Sequence, residues 1–265
     1  MKAKIFLITI FLVAFGLNGC GLLSKKYTKT ETSNYNIYAG NKKKISLENI
    51  NGNVTIAQIS DSNTLTIKAF KEVKVKKKYL ETPFEEIVIE LDTNSEIIFV
   101  KTEINHKGSE SIFNYGREQR VDYEIHLPSN IEIEVDNVNG NVVLSGSNNS
   151  LTVSLVNGDI DVSKFTGKIE CEITNGSFSG KIDSTSGLDI NTINGSVTLF
   201  LNNYMNANIR AESVNSKITD ENLQFRDLMK KNKLLRGKLG NVNTDVEIKV
   251  ETINGKIKLY GRNEI

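Results

Sequence analysis

The chain reads as all-β, a β-solenoid built from rungs of about 18–21 residues with an antiparallel β region near its N-terminus. Three observations predict this: a recurring Asn-Gly phrase, strict apolar/polar alternation around each copy, and a composition that suits short strands and turns. Among 265 residues there are nineteen Gly, two Pro, two Cys and no Trp, with 38% hydrophobic residues. That mixture argues against a helical bundle, a disulfide-stapled mini-protein and a Pro/Gly-rich disordered chain.

The chain opens with an address. Lys2 and Lys4 precede an apolar run from Ile5 to Phe15, broken only by Thr9. The run is too short to span a bilayer and has the pattern of a secretory leader. It closes at Leu17-Asn18-Gly19-Cys20, which resembles the lipobox of bacterial lipoproteins, with Asn18 in place of the usual small residue. The resemblance implies that residues 1–19 are removed between Gly19 and Cys20 and that Cys20 receives diacylglycerol and an acyl group such as palmitate. Two or three chains anchor a protein stably, at about 0.8 kcal/mol per buried methylene. The expected location is therefore outside the cytoplasm, on the surface or the periplasmic side of a bacterial membrane.

With Cys20 lipidated, Cys171 has no intramolecular disulfide partner, and it falls in a row expected to be buried. Charge divides along the chain. Residues 20–80 hold twelve Lys and four acids, whereas residues 81–265 hold nineteen basic and twenty-eight acidic side chains. Residues 20–43 read as a polar tether carrying the lipidated Cys. Its lysines Lys25, Lys26 and Lys29, together with Lys42–Lys44, are either solvated or set against anionic headgroups. Nucleic acid is not an expected partner, because no aromatic residues are interleaved with these lysines as a stacking surface.

The repeat starts at Ile45. Copies run as ISLENINGNVTI at Ile45, IEVDNVNGNVVL at Ile133, LTVSLVNGDIDV at Leu151 and IECEITNGSFSG at Ile169, then LDINTINGSVTL at Leu188, IRAESVNSKITD at Ile209 and IKVETINGKIKL at Ile248. Their asparagines are Asn51, Asn139, Asn157, Asn175, Asn194, Asn215 and Asn254. Gly52, Gly140, Gly158, Gly176, Gly195 and Gly255 follow six of them, and Ser216 follows Asn215. Steps of 18, 18, 19 and 21 from Asn139 to Asn215, then 39 to Asn254, mark a solenoid whose unit cannot bury its apolar face alone.

Counted from each Asn as zero, positions −6, −4 and +3 are apolar in almost every copy, with polar residues between them. Asn-Gly is also a strong hairpin signal. A hairpin would carry apolar residues at −2, whereas −1 is apolar in six of seven copies and −2 is mostly Asn, Ser or Thr. The inward face is therefore expected to skip at the Asn-Gly corner, between two sheets, with the asparagines stacked in an amide ladder.

Residues 44–130 read as the N-terminal β region with the first copy, and residues 131–265 as the solenoid proper. Within the former, Thr64–Leu127 suggests four or five longer antiparallel strands, and His106–Gln119 a mobile loop. Within the latter, 220–240 reads as an insertion, with Leu223, Phe225, Leu228 and Met229 on one face of a short helix capping the end.

The repeats, with VDYEIHLPSNIEIEVDNVNG before them and LRGKLGNVNTDVEIKVETINGKIKLYG at the close, resemble the bacterial putative-adhesin family, also called toastrack and similar to head-GIN domains. The resemblance covers residues 45–262 and implies a right-handed β-solenoid with adhesion or assembly-platform roles and no catalytic residues. The expected function is a non-catalytic, membrane-anchored binding module for a protein or glycan, with its oligomeric state left open. Alternatives are a platform for envelope-stress sensors and an enzyme acting on polysaccharide, a lyase or hydrolase. No catalytic residues, cofactor or metal are expected. Asp159 and Asp161, two apart on one face, are weak cation candidates without the spacing of a calcium or zinc site.

Replacing Cys20 tests the anchor. Cys20→Ala should leave the membrane fraction and take up no labelled palmitate, whereas a variant that stays bound and unprocessed overturns the lipobox reading.

Overall fold

The computed structural model describes residues 10–12, 26–59, 63–76, 87–104, 118–147 and 149–263, and every element in them is a strand. The Gly19–Cys20 cleavage and lipidation site and residues 106–117 of the expected loop lie outside the described residues. Two eleven-stranded sheets face each other across a single apolar core. No described helix is long and apolar enough to cross a membrane.

Two N-terminal strands come first: β1 (Ile10–Leu12) and β2 (Lys26–Tyr38). The first rung is β3 (Lys44–Asn51) with β4 (Val54–Ile59), followed by β5 (Thr64–Lys76), β6 (Ile87–Asp92), β7 (Ile97–Ile104) and β8 (Glu118–Pro128). Four further rungs are β9 (Glu132–Asn139) with β10 (Val142–Ser147), β11 (Leu151–Asn157) with β12 (Ile160–Phe165), β13 (Lys168–Asn175) with β14 (Phe178–Ile182), and β15 (Gly187–Asn194) with β16 (Val197–Asn202). The last elements are β17 (Ala207–Ser213), β18 (Ile218–Glu221), β19 (Arg226–Lys231), β20 (Leu234–Leu239), β21 (Glu247–Thr252) and β22 (Ile257–Arg262).

Each repeat is a strand, an Asn-Gly or Asn-Ser corner and a second strand. The first strands pair in parallel in one sheet and the second strands pair in parallel in the other. The corner between two sheets is thus observed and the hairpin rival is excluded. Register follows the repeat: Ile45 pairs with Ile133, Ile133 with Leu151, Leu151 with Ile169 and Ile169 with Leu188. Rows −6, −4 and +3 are buried in all seven rungs. The first copy, 88 residues before the second, stacks directly on it, so the stack is continuous across residue 130.

The corner repeats at close quarters. Gly176 has φ +148°, a backbone region that disfavours side chains, and an added Cβ would stand 1.7 Å from the Gly158 carbonyl oxygen of the next rung. The asparagines form the expected ladder. Asn139, Asn157, Asn175, Asn194 and Asn254 each donate from Nδ2 to the Oδ1 of Asn51, Asn139, Asn157, Asn175 and Asn194 respectively, at 2.7–2.9 Å. Asn215 completes it by donating to Asn254 at 2.6 Å.

Several expectations are corrected. The inward face does not skip at the corner: position −2 is buried in every rung, and position −1 faces out. Five of the seven −2 side chains are small and polar because they satisfy corner carbonyls, and the other two are Leu155 and Ile173. Asn137 Nδ2 donates to Gly52 O at 3.0 Å and to Gly140 O at 3.2 Å, Thr252 Oγ1 to Gly195 O at 3.1 Å, and Ser213 Oγ to Gly255 O at 3.2 Å.

The tether assigned to residues 20–43 contains β2, whose thirteen residues pair antiparallel with β5; β1, from the expected leader, borders β2 at Thr30–Thr32. Pairing along its whole length lets β2 form with few apolar residues. Nor do Lys42–Lys44 form a free basic cluster. Lys42 is buried, donating to the Thr93 and Ser95 carbonyls, while Lys43 and Lys44 pair with Glu96 and Glu134 at 2.7 Å.

The expected helix in 220–240 is replaced by the antiparallel pair β19–β20, set on the outer edge of β17. Between Thr64 and Leu127 the strands are mixed: β5–β8 and β6–β7 are antiparallel, but β8 lies parallel to β4 and β7 to β3. Gln119 belongs to β8 and not to a loop. Finally, the last copy is not terminal in space. β21 and β22 insert between β15–β16 and β17–β18, parting two rungs that are consecutive in sequence.

The corners predict a ranking. In urea unfolding, Gly176→Ala should lose about 3–5 kcal/mol, since backbone must move in two rungs. Asn157→Ala removes two exposed ladder bonds and should lose about 1–2 kcal/mol.

Candidate functional site

Because −2 points inward, the aliphatic residues at −1 are left on the outside. Ile50, Val138, Val156, Ile193, Val214 and Ile253 are 38–57% exposed, one per rung, with Thr174 in the remaining rung. Two residues earlier, and on the same side of the strand, stands the row Glu48, Asp136, Ser154, Glu172, Asn191, Glu251 and Glu212. Together these rows line a groove of about 910 Å³ that crosses the strands along the stack axis. Six steps of about 4.8 Å make the seven-rung stripe about 29 Å long.

The flank is acidic, with cations confined to its ends. Lys101 stands opposite Glu48 at one end but turns to Glu103 at 2.9 Å. At the other end Lys233 donates to the Val214 carbonyl. There Arg210 also holds Glu212 at 2.9 Å, with Arg236 at 3.5 Å, and the hydrogen bond from Arg210 keeps the Glu212 carboxyl below the usual carboxylate range. Glu251 pairs with Lys249 at 3.2 Å. In mid-groove, Asp136 and Glu172 make no ion pair among the described residues.

The groove is the feature that sequence reasoning missed. Row −1 was expected to turn inward, and the signal that could have placed it was the buried-polar character of −2. Residues Asn49, Asn137, Thr192, Ser213 and Thr252 each sit three positions before a corner residue whose carbonyl, or that of a neighbouring rung, needs a donor.

Asp159 and Asp161 are exposed on the other side of the corner, and Asp159 serves the stack. Asp159 Oδ1 accepts the Ser177 amide at 2.8 Å, one step of a second ladder in which Asn53 accepts from Asn141 and Asn141 from Asp159. No group of three or more His, Cys, Asp or Glu close enough to hold a metal occurs among the described residues. Cys171 is buried between Val153 and Ile190 in row −4, and burial pushes its thiol well above the usual range. This is the apolar row expected for it.

No family model matches the sequence, and no curated protein does. Among solved structures, the chain is similar to a putative cell adhesion protein from Clostridium sporogenes, at 14% identity and a TM-score of 0.45, covering 90% of this chain and 100% of that one. It is also similar to a putative adhesin from Bacteroides fragilis, at 11% identity and a TM-score of 0.29, over 86% and 96% of the two chains. A putative lipid binding protein from Parabacteroides distasonis matches at 10% identity and a TM-score of 0.31, over 87% and 96%.

The surroundings of Cys171 predict inertness. In a Cys20→Ala background at pH 8, a disulfide reagent such as DTNB should leave the native protein unlabelled and should modify one thiol per chain once urea unfolds it.

Proposed function

We propose that this chain is a non-catalytic binding module, anchored outside the cytoplasm through Cys20, that engages a partner along the groove. The observation that carries the reading is the exposed aliphatic stripe held beside an acidic row over seven rungs. An apolar strip of this length, interrupted only at Thr174, is costly to leave in water, and its polar rim gives a bound surface orientation. Nothing in the stripe is needed for the core, whose rows lie on the opposite side of the same strands.

The non-catalytic part rests on the composition of the acidic row. Ser154 and Asn191 interrupt it, and the described histidine, His126, lies in the other sheet beside Glu124 at 3.8 Å. Glycosidic cleavage requires two carboxylates in unlike roles flanking one bond, and a row broken at Ser154 and Asn191 is a poor frame for such a pair. Adhesion and service as an assembly platform would use the same groove, and proteolytic shaving of intact cells separates them. A chain shaved from intact cells is presented outward, as adhesion requires. Resistance until lysis favours the platform role.

A photo-crosslinking residue at Val156 in living cells tests the binding reading. Adducts should form from Val156 and not from Thr198, which lies on the outer face of the other sheet. Equal yields, no adduct at all, or turnover of a polysaccharide panel that is lost in Asp159→Asn or Asp161→Asn would overturn it.

A further inference from the structure

The geometry points to a basic amphipathic α-helix as the occupant of the groove, laid along the stack axis; this rests on the binding-module reading above. Three physical arguments select it, from backbone pairing, from spacing and from charge.

Backbone pairing excludes an added strand. In the groove wall, the Ile253 amide donates to Thr192 O at 3.1 Å, and the Asn254 amide to Ile193 O at 2.8 Å. The Val214 and Asn215 amides donate to the Thr252 and Ile253 carbonyls at 3.0 Å. The wall therefore offers side chains, with no open row of amides and carbonyls for a peptide edge to join.

Spacing then favours a helix over an extended segment. The stripe presents one aliphatic side chain in six of its seven rungs, every 4.8 Å or so, with the Thr174 side chain in the middle rung. A helix presents an apolar residue about every 5.4 Å, one turn, by using i, i+3, i+4 and i+7. The mismatch is about 0.6 Å per step, small enough for side chains to absorb over several rungs. An extended peptide repeats a face every 6.6–6.8 Å or so and drifts by about 2 Å per step, losing register within three rungs. A stripe about 29 Å long matches a helix of about 19 residues.

Charge decides the helix's polar flank. Asp136 and Glu172 make no ion pair among the described residues and stand two rungs apart, about 9.6 Å, with Glu48 next to Asp136 and Glu251 two rungs beyond Glu172, so Lys or Arg spaced about two turns apart beside the helix's apolar face would meet carboxylates. The same row repels an anionic lipid headgroup or a fatty-acid carboxylate, although either could supply apolar length.

The test uses the full chain displayed on phosphatidylcholine vesicles, with protein-free vesicles as the blank. The probes are four fluorescent peptides: an amphipathic 19-residue Leu/Lys helix, the same composition scrambled to remove the apolar face, a Leu/Glu counterpart, and an alternating Leu-Lys strand former. The amphipathic Leu/Lys helix should bind at least about tenfold more tightly than the other three. Asp136→Asn with Glu172→Gln should weaken it by about tenfold in about 50 mM salt, with the difference shrinking in about 500 mM salt as the charges are screened. Ile193→Asn should weaken it at both salt concentrations, and unchanged urea midpoints would show that these outward-facing substitutions spare the fold.

Equal binding of the scrambled or acidic peptide, preference for the strand former, or indifference to the acid-to-amide pair overturns the inference. If no peptide binds while Val156 still crosslinks in cells, the helix is wrong and the binding-module reading stands. If both fail, both fall.

Discussion

Everything in this fold depends on how closely one corner sits on the next. At six of the seven corners the residue after the ladder asparagine is a glycine that faces a neighbouring carbonyl with no room for a Cβ, so the Asn-Gly pairs must superimpose from rung to rung. Superposition brings the asparagine amides within 2.6–2.9 Å of each other and fixes the register of both flanking strands. A one-residue slip would turn every apolar row to solvent. The corner is thus the alignment device, and the core rows, the second ladder and the groove inherit their order from it.

This constraint explains why a polar row is buried. Glycine carbonyls at the corners are drawn away from regular pairing and need donors from the side. Asn49, Asn137, Thr192, Ser213 and Thr252 supply them, often to a glycine of a different rung. In the two rungs that carry Leu155 and Ile173 instead, the position still faces inward and simply adds to the core. Parity along each strand is therefore preserved up to the corner, and the aliphatic −1 row is displaced outward as its direct consequence.

Those features that depend on repetition were legible in the sequence. The seven asparagines, the apolar rows at −6, −4 and +3, the corner joining two sheets and the burial of Cys171 all follow from spacing and alternation. What was not legible depends on partners remote in the chain. The inward direction of Thr252 is decided by the Gly195 carbonyl, 57 residues away. Strand β2 has the composition of a tether and is held by pairing with β5. Leu228 and Met229 suggested a buried helical face, yet both are exposed in an edge hairpin whose anchor is β17. The candidate groove was hidden for the first of these reasons: an aliphatic row beside a corner reads as core unless the polar row next to it is already known to be inside.

The position of β21 and β22 bears on how the chain reaches this state. Strands that follow one another in sequence usually zip up in order, each new rung laid on the one just formed. Here the rung at Asn215 cannot take its place against the rung at Asn194, because the final segment of the chain occupies the layer between them. A chain appearing from its N-terminal side can build the rungs up to Asn202 as it appears, but the next layer must wait. The segment from Ala207 to Leu239 is held without its parallel neighbour until the last 18 or so residues arrive and are threaded in. Completion is thereby reserved for a chain that extends through Arg262, and one truncated near Asp245 would leave an open layer in both sheets.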